Sequence, residues 1–223
     1  TLLPTTGPLA ESGLAIKSVL AAYFDEINKQ GGIYNRRIEL SIAELGVNPT
    51  QSAANLERLI AEARPIALVA ALTAGAEKEI VAVCEKSQVP LVGPLTVYPE
   101  TGYPASRHTF YLLSGVEQQA RVLIDYSRKG LGSHSNIAIV YSHDSVSSEV
   151  VEAIKQYCTR SGWPAVTAVD GRSEGFGSAG LAQKLKSSGG NLVLLLASGR
   201  EAELFARSAE QTGWAPVLLI PGS

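Results

Sequence analysis

The chain of 223 residues contains no methionine, only two cysteines and no excess of positive charge. Its formal net charge is −2, 18% of its residues are charged, and no polybasic run occurs that could neutralise a phosphate backbone. No apolar run approaches the roughly 20 residues that a membrane-spanning helix needs. These absences argue against nucleic acid as a partner and against direct insertion of this chain into a membrane.

The chain also lacks an initiating methionine, and Thr1-Leu2-Leu3-Pro4 reads like the end of a strand already under way. We therefore expect an upstream segment to have been removed, and a signal peptide is one candidate. Cys84 and Cys158 fall on predicted helices in different halves of the chain. A disulfide bond between them is open but not favoured.

Catalytic, metal and cofactor motifs are missing or out of context. The histidines show no metal-ligand spacing, and there is no Walker loop or Cys-x-x-Cys pair. GFGSAG at 175–180 spells a dinucleotide fingerprint, but loop residues separate it from a strand and no acid ends the next strand. GRSEG at 171–175 resembles a nucleophile elbow, yet no histidine follows Ser173. We predict a protein that is not an enzyme and needs neither a cofactor nor a metal.

Short apolar strands alternate with amphipathic helices along the whole chain, which is typical of parallel sheets covered on both faces. The pattern lapses between 93 and 108, which is rich in Pro, Gly, Thr and Tyr. We predict an α/β protein of two doubly wound parallel-sheet lobes, 1–108 and 109–223, with a crossover near 107–114 and a second at the C-terminal end. The predicted strands are 37–43, 66–70, 89–92, 109–113, 136–141, 165–169, 191–196 and 217–220. A second helix is predicted to start at Asn48-Pro49, and the later helices are 74–87, 116–128, 145–161, 179–187 and 201–212.

A turn, Thr5-Thr6-Gly7-Pro8, leads directly into a long first helix that ends at Gln30-Gly31-Gly32. Apolar residues at steps of three and four predict one buried face on this helix, formed by Ile16, Val19, Leu20, Tyr23, Phe24 and Ile27. The start of the helix, beside the two threonines and Ser12, suits an anion. The commoner meaning of such a turn is a simple helix cap.

In doubly wound sheets, ligands bind at the carboxyl edge of the strands, so the loops after the strands are the candidate binding regions. The predicted third and fourth strands lead into 71–75 and 93–96, and the second lobe offers 142–147 and 197–200. The candidates in these loops are Leu72, Thr73, Ala74, Pro94, Thr96, His143, Asp144 and Ser198.

Several runs resemble one family over essentially the whole chain. TTGPLAESG, DEINKQGGIYNRRIEL, ALVAALTAG and VPLVGPLT resemble the first lobe of the leucine/isoleucine/valine-binding proteins, which are type I periplasmic solute receptors of ABC importers. NIAIVYSHDS and QTGWAPVLLIPGS resemble the second lobe. The resemblance implies a monomeric two-lobed clamp whose cleft closes on a small solute, with a membrane ABC permease as partner. It also implies a periplasmic or extracytoplasmic location, with lipid anchoring as a variant, and a returning segment, absent here, that completes the first lobe.

The family's ligand-binding positions carry over unevenly. Thr73 and Thr96 match the positions that hold a ligand carboxylate. Ser12 stands where relatives have a covering aromatic residue, Val146 where they have a tyrosine, and Gly222 near the position of the acid that pairs with the ligand ammonium. An ammonium buried without that acid would cost several kcal/mol. We therefore predict that the carboxylate half of the site is kept and the ammonium half is lost.

The ligand classes left open are an amino acid, an organic acid and an amide, and Glu117 or Asp144 could supply charge from another direction. The function predicted from the resemblance is a solute receptor for an ABC importer. The alternative is a sensory ectodomain of the same fold that signals to a kinase or channel. A nucleotide-dependent enzyme rests on the weak glycine match alone.

Overall fold

The structure is a computed structural model that describes residues 1–99, 105–131, 136–142 and 145–222. The strands are β1 Leu2–Leu3, β2 Ala43–Glu44, β3 Leu68–Val69, β4 Leu91–Val92, β5 Thr109–Phe110, β6 Asn136–Tyr141, β7 Thr167–Asp170, β8 Gly190–Leu196 and β9 Val217–Leu219. The helices are α1 Ala10–Lys29, α2 Pro49–Ala63, α3 Glu77–Ser87, α4 Val116–Leu131, α5 Ser145–Arg160, α6 Gly171–Glu174, α7 Ala179–Ser187 and α8 Gly199–Gln211. Strands and helices alternate through most of these residues, as the sequence pattern predicts, except that β5 follows β4 and α7 follows α6.

The chain forms two compact units, Thr1–Ser114 and Gly115–Ser223. The division therefore comes after Ser114, within the predicted crossover, and not after residue 108. Strand β5 explains the difference, because it pairs in parallel with β4 and so completes the first unit's sheet.

The first unit is built on short parallel strands. Strand β1 pairs with β2, and β3, β4 and β5 form a three-stranded sheet in that order. The Leu72 N–H donates to the Leu2 carbonyl over 3.0 Å, which joins the two sheets at the end of β3. Helices α2 and α3 pack together over a core that includes Leu2, Leu56, Leu68, Ile80 and Leu91.

The second unit has one four-stranded parallel sheet in the order β7-β6-β8-β9. Strands β6 and β8 are buried along most of their length because both faces of the sheet are covered. Helix α4 packs with α5, and α7 packs with α8. The core between β6, β8, α7 and α8 contains Val140, Leu181, Val193, Leu195 and Phe205. The predicted α/β class with parallel sheets is confirmed in both units.

Some boundaries differ from the predictions for local reasons. Asn48 caps α2, since its side-chain oxygen accepts from the Gln51 N–H over 2.8 Å. Helix α3 starts at Glu77 and not at Ala74, because Ala74 and Gly75 adopt positive φ values of 39° and 87°. The predicted strand 37–43 overlaps β2 only at Ala43, and the predicted strand 66–70 keeps only Leu68–Val69, as β3. Residues 171–174 form α6, within the loop predicted between the strand 165–169 and the helix 179–187.

The predicted buried face of α1 is wrong at two positions. Val19 is 69% exposed and Tyr23 is 62% exposed. The other four apolar residues of this face are half-buried, and the buried residue of the helix is Gly13. The helix meets the sheet close to Gly13, and within the described ranges nothing covers the side that carries Val19 and Tyr23.

Glu85 ties α3 to the segment that leads into β5. Its carboxylate accepts from the Ser106 hydroxyl, from the Arg107 N–H over 2.6 Å, and from the His108 N–H over 3.1 Å; His108 Nδ1 lies 2.9 Å away. These hydrogen bonds, first that of Ser106 and then those of His108, lower the pKa of Glu85 to about 2 from an ordinary value of 4.5.

A carboxylate with a lowered pKa stabilises the fold above its unfolded pKa and stops doing so as the pH falls through its folded pKa. We expect Glu85→Gln to lower the free energy of unfolding near neutral pH, and this loss to disappear between about pH 4.5 and pH 2. Urea unfolding across that range measures the difference. Glu62→Gln, at an exposed position of α2, serves as the control. An equal loss at pH 2 and at neutral pH would contradict this role of the carboxylate.

Candidate functional site

Three hydrogen-bond donors converge on one carboxylate oxygen at the carboxyl edge of the first unit. The Thr73 hydroxyl donates to Glu77 Oε1 over 2.9 Å, and the Thr96 hydroxyl donates to the same oxygen over 2.8 Å. The Gly75 N–H donates to it over 3.3 Å. The two threonines predicted as carboxylate ligands therefore lie side by side, and the carboxylate that they hold is one of the chain's own.

Strand register and a tight turn bring these groups together. Beyond the ends of β3 and β4, Leu72 and Leu95 form a parallel bridge, which sets Thr73 and Thr96 next to each other. The left-handed backbone of Ala74 and Gly75 then turns the chain into α3. Glu77 is the first residue of that helix, where the helix dipole favours a negative charge.

The cluster is largely buried. Thr73 is 1% exposed and Glu77 is 7% exposed, while Thr96 is half-buried. The Thr96 hydroxyl oxygen also accepts from the Tyr98 N–H over 3.0 Å. All three donors reach Oε1 of Glu77, and no hydrogen bond from a described residue reaches its Oε2.

A second carboxylate lies at the turn before α1. Glu44, at the end of β2, accepts from the Thr5 N–H over 2.8 Å, from the Thr5 hydroxyl, and from the Thr6 hydroxyl over 3.4 Å. Burial raises the pKa of Glu44, but the hydrogen bonds from Thr5 and Thr6 outweigh it and the pKa lies below its ordinary value. The predicted anion position beside these threonines thus holds an internal carboxylate, and α1 itself begins after Leu9 without a side-chain cap.

At the carboxyl edge of the second unit, Ser198 caps α8. Its hydroxyl accepts from the Glu201 N–H over 3.4 Å, and the Glu201 carboxylate accepts from the Ser198 N–H over 2.8 Å, which forms a capping box. Ser142, at the end of β6, donates to Glu201 over 3.3 Å, and Arg172 lies 4.0 Å from the same carboxylate. Burial raises the pKa of Glu201, but the hydrogen bonds from Ser198 and Ser142 and the charge of Arg172 outweigh this effect. The pKa of Glu201 therefore lies below its ordinary value.

We expect Ser198→Ala to lower the free energy of unfolding by about 1 kcal/mol, because the first turn of α8 loses its cap. Chemical denaturation of the purified protein measures this loss. Ser187→Ala, at an exposed position in the last turn of α7, is the matched control and is expected to change stability by less than about 0.5 kcal/mol. Equal effects of the two changes would contradict the capping role.

The remaining predicted site residues of the first unit do not join the cluster directly. Ser12 is exposed on α1, Ala74 is exposed in the turn, and Pro94 is buried. Leu72 is half-buried, and its N–H is already donated to the Leu2 carbonyl. The predicted ligand contacts at these four positions stay predictions.

In the second unit, Gly222 is exposed, and a Cβ placed there would lie 3.7 Å from Gln119 Oε1. Val146 lies on α5, but its side chain is outside the described residues, as are His143 and Asp144 altogether. Glu117, the alternative source of charge, pairs with Arg121 one turn along α4. The predicted loss of the ammonium-binding half of the site therefore stays a prediction.

Glu77 and Glu44 are the residues that the sequence reasoning missed. Glu77 follows Thr73 by four residues, at the start of a predicted helix, so an acid in a first turn was a usable signal. The bond from Thr96 had no such signal, because it spans 19 residues and depends on the register of β3 and β4.

A cavity of about 300 Å³ lies elsewhere in the first unit. It is lined by Thr1, Ser41 and Pro65, which precede or approach the amino ends of strands, and by apolar residues such as Phe24 and Ile38. It is therefore separate from the carboxyl-edge cluster around Glu77.

Metal sites, membrane-spanning helices and the two cysteines were the other features considered in the described part of the chain. No group of three or more His, Cys, Asp or Glu residues in that part could hold a metal ion, and none of its helices is long and apolar enough to cross a membrane. Cys84 and Cys158 are both free and buried. Burial raises the pKa of Cys84 to about 12 and that of Cys158 to about 11.

A family model described as periplasmic binding protein matches residues 1–223. The chain is 24% identical over 220 residues to Leu/Ile/Val-binding protein homolog 3 of Brucella melitensis, covering 98% of this chain and 59% of that protein. The chain thus spans less than two thirds of the length of this relative.

Solved structures share the fold. An extracellular ligand-binding receptor from Verminephrobacter eiseniae superposes with a TM-score of 0.77 at 18% identity, over 98% of this chain and 62% of that one. The branched-chain amino acid transporter substrate-binding protein of Streptococcus pneumoniae, solved with isoleucine, superposes with a TM-score of 0.70 at 18% identity, over 97% and 61%. The two-lobed α/β architecture predicted from the sequence is the architecture of these proteins.

Proposed function

The chain belongs to the periplasmic binding protein family, and on that premise we propose that it is a receptor that binds a small solute outside the cytoplasm and delivers it to an ABC importer. The family match extends over residues 1–223. Fold alone does not fix function, so the proposal depends on the chemistry of a particular site.

The observation that carries the proposal is the convergence of Thr73, Thr96 and Gly75 on one carboxylate at the carboxyl edge of the first sheet. Ligands of doubly wound sheets bind at this edge. We propose that the solute binds here, against the loops after β3 and β4. The solute classes that we consider are amino acids, organic acids and amides.

Similar proteins support a solute of this size. The Brucella relative is named for leucine, isoleucine and valine, and the Streptococcus neighbour was solved with isoleucine. The resemblance to these proteins places Gly222 near the acid that pairs with the ligand ammonium, so organic acids and amides stand beside amino acids in our proposal.

Mass spectrometry of the small molecules that copurify with the protein tests the proposal. We expect a solute of low mass in stoichiometric amount, and we expect it to raise the melting temperature when added back to protein from which it was removed. A ligand at 100 times its dissociation constant stabilises the folded state by about 2.7 kcal/mol. If no solute copurifies and none of a panel of amino acids, organic acids and amides raises the melting temperature, the proposal is wrong.

A further inference from the structure

We propose that Glu77 determines which polar group of a ligand this site accepts: an amide or ammonium group that donates hydrogen bonds, and not a carboxylate. This inference rests on the proposed function, because it concerns the ligand of that same site. It assigns a specificity role to a residue that lies between the two threonines predicted to bind the ligand directly.

The donors of the site are already in use. The hydroxyl hydrogens of Thr73 and Thr96 and the N–H of Gly75 all point to Oε1 of Glu77. A hydroxyl has one hydrogen to donate, so neither threonine can donate to Glu77 and to a ligand at the same time. The side-chain groups that remain available at this position are acceptors.

The free acceptor is Oε2 of Glu77. Glu77 is 7% exposed, and no described residue donates to this oxygen. Oε2 is not one of the fully buried side-chain atoms that lack a hydrogen-bond partner, so it reaches the surface and takes its partner from outside the chain, as water or as a ligand. A ligand N–H would supply that partner and would interact favourably with the negative charge.

A ligand carboxylate would meet the opposite situation. Next to Glu77, two negative charges would lie close together and repel each other. To reach the threonine hydroxyls, the ligand would have to displace Glu77 and leave that buried carboxylate without its donors.

The neighbouring predicted anion position is filled in the same way. The N–H of Thr5 and the hydroxyls of Thr5 and Thr6 donate to the Glu44 carboxylate. Both positions of the first unit where the sequence predicts an anion are therefore satisfied by the chain's own carboxylates. This edge of the sheet presents negative charge and acceptors to a ligand.

Titration calorimetry with two isosteric pairs, isovaleramide with isovalerate and benzamide with benzoate, tests the inference. We expect the wild type to bind the amide of a pair at least about tenfold more tightly than the carboxylate, since a hydrogen bond to a charged group has about that effect. In Glu77→Gln the ratio of the two affinities should move toward the carboxylate by about tenfold or more. The ratio does not depend on the fraction of protein that is folded.

Glu79→Gln is the matched control, because it removes the same charge from the same first turn of α3. We expect it to leave the ratio unchanged, and a shift equal to that of Glu77→Gln would overturn the specific role of Glu77. A wild type that prefers carboxylates, with binding lost in Thr73→Val, would overturn the inference and leave the proposed site in place.

Copurified solutes decide the case in which these probes do not bind. A copurified solute that carries an amide or an amine supports the inference. A copurified solute with neither group overturns the inference while the proposed function stands. If nothing copurifies and no probe binds, the proposed function fails and the inference fails with it.

Discussion

Replacement of Gly13 by alanine is expected to lower the free energy of unfolding by about 3 kcal/mol or more, at or beyond the upper end of typical overpacking costs. A Cβ at this position would lie 1.9 Å from the Pro4 carbonyl oxygen and 2.9 Å from its carbon. Both are backbone atoms, so the clash cannot be relieved by a change of side-chain rotamer. The helix α1 and the chain after β1 would have to separate.

The matched control is Gly130→Ala on α4, where an added Cβ meets nothing within 4 Å. Here alanine should stabilise the protein by about 0.5–1 kcal/mol, because glycine in a helix has a larger loss of backbone entropy on folding. Urea unfolding of both variants measures the two effects. A loss of less than about 1 kcal/mol at Gly13 would mean that α1 does not approach Pro4 as closely as described.

Replacement of Phe205 by alanine is expected to lower the free energy of unfolding by about 3–5 kcal/mol. Phe205 lies on α8 and is fully buried against α7 and the sheet of the second unit. Its ring makes an edge-on contact with Trp214 at a centroid distance of 6.2 Å. Removal of the ring leaves a cavity that the surrounding side chains can fill only in part.

Leu204 is the neighbouring control, since it is 44% exposed on the same helix. Leu204→Ala should change stability by less than about 1 kcal/mol, as is usual for surface positions. Chemical denaturation followed by tryptophan fluorescence suits the comparison because Trp214 contacts Phe205. Similar losses for Phe205 and Leu204 would contradict the placement of this core.

The sequence predicts the second unit more accurately than the first. The bounds of β6 and α7 match the prediction, because a long apolar strand and a capped amphipathic helix each carry a strong local signal. The first unit has strands with two ladder residues each, and their extent depends on neighbouring chains. Local composition therefore predicted a strand at or next to each of β2, β3, β4 and β5 but made all four of them too long.

Helix α1 illustrates a second limit. The three- and four-residue spacing located its apolar side correctly, but spacing does not reveal which element covers that side. Val19 and Tyr23 are exposed in the described part of the first unit. Their exposure could not be deduced from periodicity alone.

The site shows the same contrast between local and long-range information. Resemblance to a family was enough to select Thr73 and Thr96 as neighbours in space. It gave no indication of Glu77, because that residue reaches them only through the turn at Ala74 and the bridge between Leu72 and Leu95. The chemistry of the site thus depends on a residue that neither the motif nor the spacing identified.

The most direct test of the proposed receptor is titration calorimetry of the copurified solute into the ligand-free wild type and into the double variant Thr73→Val, Thr96→Val. The double variant Thr73→Ser, Thr96→Ser keeps both hydroxyls and serves as the control. We predict that the serine variant binds the solute and that the valine variant does not, because Glu77 loses the two hydroxyls that hold it. Binding of equal strength by the valine variant would contradict the account and place the site elsewhere.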